Sequence, residues 1–145
     1  PKRSGWYFYK LRTMCNDLPY IERTKMIGKS YGDNYATQLS QYKGAIAATT
    51  FYPTVKYLEV PAAGCLTFME ITQKNRGEYL GYKDDYSSIF INEKNYQKKF
   101  HEFLDDPKNP KWEEIANNGR KHALENLSND KAVEALSELM QALIK

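Results

Sequence analysis

The sequence predicts an α/β fold, a Rossmann-like parallel sheet flanked by helices and followed by C-terminal helices. Three observations predict it. Ala45-Ile46-Ala47-Ala48-Thr49-Thr50 and Cys65-Leu66-Thr67-Phe68-Met69 are short apolar runs of the kind that fills strands buried on both faces. Residues 52–64 place a turn and a helix start between them, giving strand, loop, helix, strand. The final third repeats apolar residues at helical spacing. Such alternation builds a parallel sheet with crossover helices.

Taken in order, residues 10–17 suit a helix that Asp17 and Pro19 terminate. Tyr20-Ile21 begins a short strand, residues 28–32 form a glycine-bounded loop, and residues 33–42 form a helix capped by Asp33 or Asn34. A strand over 45–50, a helix over 55–63 starting at Thr54, and a strand over 65–69 follow. Thr54 is expected to cap that helix through its hydroxyl, which can accept from an orphan N–H of the first turn. Beyond a variable stretch holding Gly77, Gly81 and Asp84-Asp85, residues 88–91 form a brief strand. Tyr96, Phe100, Phe103 and Leu104 share one face of a helix that stops at Asp105-Asp106-Pro107. Asn109-Pro110 opens another, since proline suits the first helical position, and Trp112, Ile115, Ala116, Ala123, Leu124 and Leu127 form its buried side. Residues 128–130 break the chain before a last helix carrying Val133, Leu136, Leu139, Met140 and Leu143.

Composition describes one domain over residues 1–145, large enough for a core, with 41% hydrophobic residues and no apolar run near the ~20 residues of a membrane span. Cys15 and Cys65 are too few for a disulfide scaffold and lack metal-ligand spacing, so reduced thiols and a cytoplasmic location are expected. Charge is uneven: residues 1–60 hold nine Lys or Arg against four Asp or Glu, and residues 61–145 twelve against fourteen. A basic first half attracts an anionic ligand, or offers a peripheral contact to anionic lipid. The excess also fits an ordinary solvated face at Lys2, Arg3, Arg23 and Lys25.

The chemistry concentrates in residues 52–64. Lys56 and Glu59 lie three apart on one helical face, which by itself fits a solvated pair worth about 0.2–0.5 kcal/mol. It also suits a nucleotide: a lysine in the first helical turn reinforces the attraction of a helix N-terminus for phosphate, and an acid one turn on can accept from a ribose diol. In an open parallel sheet the ligand sits beyond the carboxyl ends of the strands, where the loop over residues 50–56 lies. Tyr52 and Thr54 would line it. Ser4-Gly5-Trp6 is placed for an equivalent loop, with Gly5 allowing backbone to approach a phosphate. Other candidates are poorer. His101 and His122 fall in helices far along the chain. Gly28-Lys29-Ser30 has Arg23 where a phosphate-binding loop needs its first glycine. Asp84-Asp85 reads as a solvated loop.

Val55-Lys56-Tyr57-Leu58-Glu59-Val60-Pro61-Ala62-Ala63-Gly64 resembles the donor-site helix of glycosyltransferases with the GT-B fold, in which a basic residue, a hydrophobic pair, Glu and a small-residue run ending in Gly recur in this order. It is most similar to the branch related to spore-maturation glycosyltransferases (glycosyl transferases group 1). Tyr9-Lys10-Leu11-Arg12 is similar to that branch's Tyr-Pro-Leu-Arg, with Lys10 in place of the proline. Residues 35–43 resemble the helix preceding the donor-site strand, and Ser88-Ile89-Phe90-Ile91 the late strand. The resemblance spans nearly the whole chain.

What the resemblance implies is the C-terminal, donor-binding half of a GT-B enzyme. Its ligand would be a nucleotide-diphosphate sugar, with neither metal nor other cofactor, and its acceptor a glycan, lipid or protein rather than nucleic acid. Lys56 would stabilise the leaving diphosphate, Glu59, as a single buried acid, would hold the ribose, and Arg12 or Lys10 would add positive charge. Two departures stand out. The family's opening strand and N-terminal acceptor domain have no counterpart here, and the acid expected eight residues before Glu59 is Phe51. The competing expectation is a non-catalytic interaction domain presenting Trp6, Tyr7, Phe8 and Tyr9.

Overall fold

A computed structural model describes residues 5–22, 42–127 and Gln141. The expected loop over 28–32, most of the helix over 33–42, Ser4 and most of the last helix lie outside them. Three parallel strands stand in chain order: β1 (Gly44–Ala47), β2 (Leu66–Glu70) and β3 (Ile89–Ile91). Gly44 pairs with Leu66 and Ala47 with Met69, while Phe68 pairs with Ile89 and Glu70 with Ile91. The strand, helix, strand arrangement expected over 45–69 is therefore present, with α3 (Lys56–Ala62) as the crossover between β1 and β2.

β1 is shorter than the apolar run suggested. Past Ala47 the chain leaves the sheet, and the Thr50 amide donates to the Phe8 carbonyl at 2.9 Å. That carbonyl ends α1 (Gly5–Phe8), a single helical turn where a phosphate loop was expected, and α2 (Lys10–Asn16) follows. No strand forms at Tyr20-Ile21, because Tyr20 lies in the turn that closes α2, with the Leu18 amide bonded to the Cys15 carbonyl.

Alternation along β2 sends Leu66, Phe68 and Glu70 to one face of the sheet and Thr67 and Met69 to the other. On the first face Leu66 and Phe68 pack with Leu11 and Cys15 of α2, Phe100 of α4 (Tyr96–Asp105), and Trp112 and Ile115 of α5 (Pro110–Asn126). On the second, Ala47 and Met69 pack with Tyr57 of α3 and Tyr82. α5 begins as its sequence dictates, with Pro110 in the first turn and the Asn109 side chain accepting from the Lys111 amide at 3.0 Å. Leu104 and Leu124, expected in the core, are half exposed at 42% and 49%. Among the described residues no helix is long and apolar enough to cross a membrane.

Candidate functional site

The carboxyl ends of β1 and β2 are tied together before any ligand is considered. Asn75 is completely buried and uses its whole amide: Oδ1 accepts from the Thr72 and Gly77 amides, and Nδ2 donates to the Thr49 and Glu70 carbonyls at 3.1 and 2.7 Å. The Tyr57 hydroxyl donates to the same Glu70 carbonyl at 3.0 Å and accepts from the Thr49 amide. Burial pushes that phenol up to about 12, so it remains a donor throughout the physiological range.

None of these residues lines the cavity of about 510 Å³ that α2, β1 and α3 border; β1 contributes Gly44, Ala45 and Ile46 to it rather than its carboxyl end, where the ligand was expected. Arg12 and Lys56 line it from different helices, Asn16 lies one turn, about 6 Å, along α2 from Arg12, and Ile46, Phe68 and Phe103 make apolar wall. The Arg12 guanidinium stacks on the Tyr9 ring at 3.8 Å from its centroid. Burial, then the nearby Arg12 charge, lowers the Lys56 pKa, while Glu59 opposes them. Neither cation has a carboxylate within 4.0 Å among the described residues. Glu22 also lines the cavity, its Oε1 accepting from the Tyr42 hydroxyl at 3.2 Å. Two converging cations outside any ion pair among the described residues, beside an apolar pit, can hold a doubly charged anion attached to a ring.

The remaining expected site residues divide differently. Lys10 is committed to Glu93, 3.2 Å from Oε1, and its ammonium lies 5.5 Å from the centre of the Trp6 ring. Tyr52 and Thr54 are exposed and border a second hollow of about 320 Å³ between Tyr7, Phe8 and Phe51. Thr54 does not cap α3 with its hydroxyl; the cap is Val55, with no side-chain bond, and Thr54 contributes its carbonyl to the Tyr57 amide. Gly5 opens α1, and Ser4 is outside the described residues. Glu59 is exposed rather than buried and borders neither cavity, since Lys56 and Val60 turn the adjacent strip of α3 inward.

The buried acid is Glu70. It is 7% exposed at the end of β2, and its Oε2 has no hydrogen-bond partner among the described residues. Burial, and secondarily Glu93, raises its pKa from 4.5 to about 7. An acid ending an apolar run was the visible signal for it; nothing local marks Asn75. His122 is engaged elsewhere, its Nε2 lying 2.6 Å from the Leu80 carbonyl oxygen, and His101 is exposed. Compared with protein-family models, curated proteins and solved structures, the chain matches none.

Proposed function

We propose that this domain binds a nucleotide-diphosphate sugar and acts as the donor half of a cytoplasmic GT-B-type glycosyltransferase, with the acceptor held by an N-terminal domain of the same enzyme. The observation supporting this most directly is the convergence of Arg12 and Lys56 on one cavity, neither in an ion pair within 4.0 Å among the described residues. Their charge would meet the negative charge that develops on the leaving diphosphate, where preorganised cations have the greatest effect. Tyr52 and Thr54, which border the second hollow, would not contact the diphosphate in this reading. Glu59, one turn along α3 from Lys56, would reach a ribose only at the solvent side of the cavity mouth, so its role in this reading is a rim contact.

Calorimetric titration with UDP, GDP and ADP tests the proposal. The wild-type chain should bind at least one, and Arg12→Ala and Lys56→Ala should each weaken binding about tenfold or more through loss of a charge-assisted contact. Equal affinity in all three proteins, or none for any nucleotide, would count against it. A second reading, a non-catalytic interaction domain, draws on Trp6, Tyr7 and Phe8, which are 50%, 41% and 42% exposed. It predicts no nucleotide binding.

A further inference from the structure

Glu70 and α2 form an arrangement that the donor site does not use. Glu70 shares a sheet face with Leu66 and Phe68, and that face is covered by Leu11 and Cys15 of α2. Glu70 is 7% exposed, its Oε2 is buried without a partner among the described residues, and no cation among them lies within 4.0 Å of the carboxylate. The titratable groups facing it are Glu93 from the segment after β3, the Cys15 thiol of α2 and the Tyr57 phenol of α3. Burial, foremost, pushes that thiol and that phenol up to about 12 each, so both stay neutral, and neither can compensate a charge on Glu70. The only cation beside Glu93 among the described residues is Lys10, the first residue of α2, which ties that helix to Glu93.

We propose that Glu70 is a proton-operated latch for α2: with the carboxyl protonated the helix stays seated on the sheet face, and with it ionised the helix lifts to let water reach Oε2. An ionised Glu70 would be a buried, unpaired charge with the Glu93 carboxylate nearby, and α2, at seven residues, is shorter than α4 and α5, the other helices packed on that face. Arg12 travels with α2. The latch would therefore weaken the anion site as pH rises, a consequence that rests on the nucleotide reading, whereas the latch itself does not.

Hydrogen exchange of the ligand-free protein tests the latch directly. After correction for intrinsic exchange, protection of the amides of residues 13–16 should fall about tenfold between about pH 5.5 and about pH 8.5, and Glu70→Gln should abolish that dependence. Glu93→Gln, at an exposed position, removes the secondary cause of the raised Glu70 pKa, so it should move the fall to lower pH, and it serves as the deciding variant if Glu70→Gln does not fold. Unchanged wild-type protection across this range, or the same fall in Glu70→Gln, would overturn the proposal. Failure to bind any nucleotide at any pH would instead count against the donor-site reading alone.

Discussion

On the α3 side of the sheet the buried polar groups are matched, whereas on the α2 side two of them are not. Tyr57, Tyr82 and Asn75 place their donors on the Glu70, Tyr57 and Thr49 carbonyls, and Ser88 donates to the Thr67 carbonyl at 2.8 Å. Beneath α2, Glu70 Oε2 and the Tyr20 hydroxyl are both buried without partners among the described residues. Each unmatched group costs about 1–3 kcal/mol, so the α2 side is the weaker half of the core. The difference separates a rigid platform from an element with a reason to move, and the cavity is lined from the second, by Arg12 and Asn16 of α2.

The largest expected effect breaks the matched side. Asn75→Ala removes four amide bonds at once and leaves the Thr49 carbonyl and the Gly77 amide without that partner, so chemical denaturation should show a loss of about 4 kcal/mol. A loss below about 1 kcal/mol would mean that water replaces the amide there, erasing the contrast.

The second prediction concerns the unmatched side. Glu70 has its pKa raised from 4.5 to about 7, so the folded protein holds a proton that the unfolded chain has released. That contribution is fully present below the lower value and is lost as pH climbs through the upper one, amounting to up to about 3 kcal/mol. Urea titrations across this range should show the decline in wild type and a flatter profile in Glu70→Gln.

Gly119 sharpens the comparison on the α3 side. A Cβ there would run into the Ser87 carbonyl oxygen, which is backbone and cannot swing aside, so Gly119→Ala should cost about 2 kcal/mol, read as a lowered melting temperature. The smallest expected change in stability is at the cavity. Arg12→Ala and Lys56→Ala break no ion pair among the described residues, and thermal melts should place each within about 0.5 kcal/mol of wild type even where nucleotide affinity falls. A large loss of stability in either would recast that cation as a structural group.

Much of the frame was legible because it depends on local pattern. The apolar runs at 45–50 and 65–69 became β1 and β2, in the parallel arrangement that one intervening helix requires, and Asn109-Pro110 opened α5. The site was legible only in part. Arg12 and Lys56, named from separate stretches, reach the same cavity, yet Lys10 is drawn away by Glu93, eighty-three residues on. Helical spacing placed Glu59 near Lys56 but could not say which strip of α3 faces inward. That is decided by the packing of Tyr57 and Val60.

By itself the sequence determined that strands form around 45–50, 65–69 and 88–91 and helices around 10–17, 55–63 and from Asn109-Pro110 on, that the sheet is parallel, and that positive charge gathers in the first half of the chain. These follow from periodicity, crossover length and composition, each a property of neighbouring residues. Only the tertiary structure decided which acid is buried, which cations lack a carboxylate neighbour, and that Asn75 ties two strand ends together. Those outcomes depend on the distance between residues far apart in the chain, and burial and pairing are set by that distance.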